Sequence, residues 1–72
     1  MKSQIIFIDP NGDEWEGKIE ETDYMVYANQ VSNAINNSFL HNEPYWLDTD
    51  TGAVFFGPEI VKSSIIRVIK VK

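Results

Sequence analysis

Three groups of side chains in this chain have the types and spacing that could support chemistry. The first is Asp9-Pro10-Asn11-Gly12-Asp13 with Glu20, which reproduces positions 1, 3, 5 and 12 of a calcium-binding loop. The pattern departs from that loop in two places. Position 6, where the sharp turn needs glycine, is Glu14, and position 8, usually apolar, is Glu16. The segment before it is also β-branched, as in a strand rather than a helix. A hairpin turn is therefore the primary expectation and a weak calcium-binding module a distant alternative. The second group, Asp48-Thr49-Asp50 ahead of Gly52, has the composition of a turn in which aspartates bond their own backbone.

The third group is His41 beside Glu43, with Asp48 and Asp50 further along. An imidazole oriented by a carboxylate is the smallest acid/base pair, but catalysis also needs a nucleophile or an electrophilic stabiliser. The chain has no nucleophile elbow, no phosphate-cradling glycine loop and no second histidine. His41 suits a helix C-terminus, where a cation is favoured. The expectation is a non-enzymatic protein with no catalytic residues, no metal site and no cofactor. The lack of cysteine removes disulfides and thiolate metal sites and fits a reducing compartment.

Aromatic residues offer a different kind of chemistry. Most of Trp15, Tyr24, Tyr27, Phe39, Tyr45, Trp46, Phe55 and Phe56 must form core. In simple register, however, Trp46 and Phe55 fall on the face opposite Val54 and Phe56, where an exposed pair beside Tyr45 or Arg67 would make a binding hot spot. Arg67, the sole arginine, interrupts an apolar face at Ile65 and Ile69, and arginine is enriched at interfaces. Tyr45, Trp46, Phe55 and Arg67 are the expected partner-binding residues.

The elements that would position these groups follow from pattern. Residues 4–9 read as a strand that ends in a type I turn with a glycine bulge at Asp9 to Asp13. Residues 14–21 alternate, with Trp15, Gly17 and Ile19 facing in and Glu14, Glu16, Lys18 and Glu20 facing out, as in a charge-protected edge strand. A helix over 23–40 puts Tyr24, Tyr27, Ala28, Val31, Ala34, Ile35, Ser38 and Phe39 on one stripe. Met25, Val26 and Leu40 fall off it. Residues 45–47, 53–56 and 65–71 complete five strands, with one helical turn expected over 59–64.

The order is ββαβββ, a single α+β domain over residues 1–72. Strands one and five have the densest two-sided apolar runs, so both are expected at the centre of one mainly antiparallel five-stranded sheet. With strands numbered along the chain, the spatial order is 2-1-5-4-3, and the helix lies on one face. One helix covers one side of such a sheet. Apolar surface then exceeds what the chain can bury alone, which points to a homo-oligomer, most simply a dimer, and to a protein partner bound through an apolar sheet face.

Charge narrows the partners. Residues 1–61 carry two lysines and all eleven acids, and residues 62–72 carry four cations and no acid, giving −5 overall. So few cations argue against direct nucleic-acid binding. The carboxylates Glu14, Glu16, Glu20, Glu21 and Asp23 suggest an alternative: an acidic inhibitor that imitates nucleic acid and occupies the groove of a DNA- or RNA-binding protein. The four apolar residues before Asp9 are too few for a signal-peptide core or a membrane span, so a soluble, cytoplasmic protein without membrane contact is expected. Lysine over arginine and nine isoleucines against two leucines suit an accessory protein of an AT-rich bacterium or its mobile elements.

Overall fold

The computed structural model describes residues 1–72. Strand β1, Lys2–Ile8, and strand β2, Glu14–Glu20, form an antiparallel hairpin. Its turn is built by one carboxylate. Asp9 Oδ1 accepts the backbone N–H groups of Asn11 (2.9 Å) and Asp13 (3.0 Å), and Oδ2 accepts the Trp15 indole N–H at 3.1 Å. Gly12, at φ +87°, supplies the left-handed residue that closes the turn.

The β1–β2 register slips between Gln4 and Ile6. Trp15 faces Phe7 on the inner side, but Ile19 pairs with Gln4 and Glu20 with Ser3. Past Gly17 the faces are therefore exchanged. Ile19, expected inside, is 51% exposed, and Glu20 turns inward. A one-residue slip reverses every later side chain of a strand. Gln4 Nε2 donates to the Gly17 carbonyl at 3.0 Å, satisfying a backbone group at the slip.

Helix α1, Tyr24–His41, matches the apolar spacing. The Asp23 side chain caps its first turn by accepting the Met25 N–H, and Asn42, at φ +52°, donates its N–H to the Ser38 carbonyl at the other end. Ser38 Oγ also donates to the Glu43 carbonyl, which ties the exit loop to the last turn. Val31 and Ser38 are buried, while Ala34 and Phe39, expected on the buried stripe, are exposed. Met25, Val26 and Leu40 lie exposed, off that stripe.

The expected five-stranded sheet is instead two sheets. Strands β3, Tyr45–Thr49, and β4, Gly52–Phe56, form their own hairpin, while β5, Ile65–Val71, joins the first sheet in the order β2-β1-β5. Antiparallel pairing and the α+β class hold, but the order 2-1-5-4-3 does not, and β5 is an edge strand. Two local features account for the split. Helix α2, Pro58–Lys62, lies where one helical turn was expected and stands between β4 and β5, which do not pair. Gly17 leaves a bare patch on β2 into which the second hairpin settles: a Cβ built there would lie 3.2 Å from Leu47 Cδ1 and 3.3 Å from the Asp48 carbonyl oxygen.

The second hairpin thus acts as cover, together with α1. Ile5 and Phe7 of β1, Val31 of α1, Tyr45 and Leu47 of β3, Phe56 of β4 and Val61 of α2 make one core. Phe7 stacks on Phe56 with ring centroids 4.0 Å apart, and Trp15 meets Phe56 edge-on at 5.7 Å. Only eleven residues are buried, so this core is small even for a chain of this length.

Candidate functional site

Strand β3 alternates strictly: Tyr45 and Leu47 are buried, and Trp46 and Asp48 are exposed. In register, Trp46 pairs with Phe55 and Tyr45 with Phe56, so each cross-strand pair shares a face. Trp46 and Phe55 lie on the outer face of the hairpin, 63% and 57% exposed, with ring centroids 4.6 Å apart. Trp46 also borders a shallow groove between α1 and β3, flanked by Ala34, Asn37, Glu43 and Pro44.

The four expected contact residues do not form one site. Tyr45 is 8% exposed and stacks on Phe7 at 6.4 Å, so it belongs to the core. Burial, followed by the nearby Tyr27 and Asp48, pushes its phenol pKa up to about 12. Arg67 pairs with Ile6, whose side chain points away from the core-facing Ile5 and Phe7. It therefore lies on the outer face of the three-stranded sheet, across the core from Trp46 and Phe55. That outer face carries Ile6, Ile8, Ile19, Ile65 and Ile69, with Glu14 and Glu16 along its β2 side. Sequence alternation missed Ile19 because the register slip that turns it outward leaves only a weak trace, the glycine at 17.

The Asp9–Glu20 group separates, and the second turn is held by the Thr49 hydroxyl, which donates to the Gly52 carbonyl at 2.8 Å, in place of the aspartates expected there. Asp9 and Glu20 sit at opposite ends of the β2 ladder, roughly 20 Å apart at strand rise, so they do not encircle one ion. The Trp15 indole N–H and, to a lesser degree, three backbone N–H groups hold the Asp9 carboxyl below its ordinary pKa against an opposing desolvation effect. No three His, Asp or Glu side chains are grouped closely enough to hold a metal ion. The acidic row is broken as well, since Glu14 and Glu16 share the outer face and Glu20 turns inward. No helix is long and apolar enough to cross a membrane.

Comparison with protein-family models, with curated proteins and with solved structures gave no match.

Proposed function

We propose that this chain is a non-catalytic interaction protein that associates with itself, most simply as a dimer, and binds a protein partner through exposed apolar sheet surface. The observation that carries this reading is the Trp46–Phe55 pair. Two large aromatic rings pack on each other on the outer face of a hairpin and remain more than half exposed. Tryptophan is the residue most enriched among binding hot spots, and two adjacent rings offer a rigid surface with little side-chain entropy left to lose on binding. On the far side of the core Ile19 and Ile65 are also exposed, at 51% and 61%, while Ile6 between them is buried. Contiguous exposed apolar surface on a small domain marks an interaction site more often than it serves folding.

Sedimentation of the full chain at micromolar concentration tests the self-association half of this reading. More than one chain per particle, dissociating on dilution, is the expected result. A monomer at every concentration that also fails to bind an apolar-surface dye would overturn it.

A further inference from the structure

We propose that the free edge of β5, with the groove between β5 and α1, docks an extended segment of a partner protein that is apolar along its middle and acidic at both ends. The segment would add to the sheet as a fourth strand. This site is separate from the Trp46–Phe55 surface and goes beyond the reading built on it.

The edge itself is the first observation. Strand β5 pairs with β1 in unbroken register from Lys2–Val71 to Ile8–Ile65 and has no strand on its other side. No backbone hydrogen bond outside the regular elements uses any residue of β5. Five of its seven residues are isoleucine or valine, and it has neither proline nor bulge. An edge of that kind is a template for strand addition. The opposite edge, β2, is guarded by Glu14, Glu16, Lys18 and Glu20 and by its register slip.

The groove is the second. Helix α1 runs beside β5 in the opposite direction, with Tyr24 next to Lys70 at one end and Phe39 next to Lys62, just before β5, at the other. Between them an open groove of about 340 Å³ is lined by Ala28, Val31 and Ile35 from the helix and Ile66 and Val68 from the strand. A strand added to β5 would point alternate side chains into this groove. Main-chain bonds then supply affinity and the groove selects apolar residues.

Charge chooses the occupant. Lys70 Nζ stands 4.7 Å from the ring centroid of Tyr24, which lines the groove, and Lys62 Nζ stands 5.9 Å from that of Phe39, one helical turn past the groove's last lining residue on α1, Asn36, so a cation stands beyond each end of the groove. Acids are present too: Glu59 lies 3.5 Å from Lys62, and Asp23 lies near the Lys70 end. The last eleven residues nevertheless carry four cations and no acid. A second copy of this segment would bring four further cations and no acid up to the edge, whereas an acidic segment would be attracted.

The test uses the full chain and a synthetic peptide labelled at its N-terminal amine, fluorescein-Gly-Gly-Glu-Asp-Val-Thr-Val-Thr-Val-Asp-Glu-amide, followed by fluorescence anisotropy. Saturable binding is expected. Two N-methylated versions, blocked at alternate residues, should differ: one loses affinity about tenfold or more and the other keeps it, because a strand bonds its neighbour through every second residue. Ser32→Trp, an exposed groove-lining position on α1, should fill the groove and abolish binding while circular dichroism stays unchanged. Joint Lys62→Glu and Lys70→Glu should weaken binding about tenfold or more, and Trp46→Ala should leave it unchanged. Absence of binding at millimolar peptide, equal affinity of both N-methylated forms, or undiminished binding to Ser32→Trp would each overturn the proposal. So would a self-association that Ser32→Trp abolishes and the peptide cannot compete with, since the occupant would then be a second copy.

Discussion

Gly17 and Leu47 meet where the two sheets join: a Cβ on residue 17 would lie 3.2 Å from Leu47 Cδ1 and would collide outright with Ile5 Cγ2. The absence of a side chain at this point is what lets the second hairpin lie against β2 and close the core over β1. Leu47 is 1% exposed and Ile5 is fully buried, so neither has room to retreat.

Gly17→Ala is therefore expected to destabilise the fold by about 1–3 kcal/mol, as overpacking of a tight core does. Thermal or urea unfolding followed by far-UV circular dichroism gives the value. Because the collision is with Ile5, Ile5→Ala combined with Gly17→Ala should cost less than the two single changes added together. Full additivity would mean that Gly17 is needed for a reason other than this contact.

The same glycine marks the limit of what pattern alone could show. The first turn, the helix and the two hairpins were legible because each is coded locally: Asp9 to Asp13 contains its own bonds, Asp23 caps the helix, and Tyr45 to Phe56 alternates around a glycine-ended turn. The pairing of β5 was not, since a two-sided apolar run such as Ile65–Val71 is compatible with a central strand or with an edge awaiting a partner. The outward position of Trp46 and Phe55 and the inward position of Tyr45 follow from one period-two alternation, while the separation of Arg67 from the aromatic pair depends on how the layers stack. The groove between α1 and β5 left no local signal at all, because its walls come from segments about thirty-five residues apart.

Alkaline pH should unfold the protein through the buried phenol of Tyr45 and the half-buried phenol of Tyr27. The Tyr45 pKa is raised to about 12 by burial first and then by Tyr27 and Asp48, and that of Tyr27 is raised by burial, Glu20 and Asp48. A folded-state value above the unfolded one of about 10 means that the neutral phenol is favoured by folding. Its contribution is complete below pH 10 and is lost as pH rises through about 12. Circular dichroism against pH should show loss of structure in that window, and Tyr45→Phe should move the loss to higher pH with little effect at neutrality. An unchanged alkaline midpoint in Tyr45→Phe would remove Tyr45 as a driver of the transition.

Trp46→Ala and Phe55→Ala separate folding from binding. An exposed cross-strand pair contributes roughly 0.2–1 kcal/mol to a sheet, so each substitution should lower stability by no more than about 1 kcal/mol. If the outer hairpin face is a contact surface, the same substitutions should weaken association by about 2 kcal/mol or more, roughly thirty-fold in the dissociation constant. Glu14→Lys with Glu16→Lys should have little effect, since solvated rim charges chiefly alter association rate and salt dependence. An acidic imitator of nucleic acid would show the reverse order: charge reversal and salt would abolish target binding, and the aromatic substitutions would leave it intact. Sedimentation of the three variants, together with binding to one identified target at two salt concentrations, decides between them. Dominance of the charge reversal would overturn the assignment of the Trp46–Phe55 face as the contact surface.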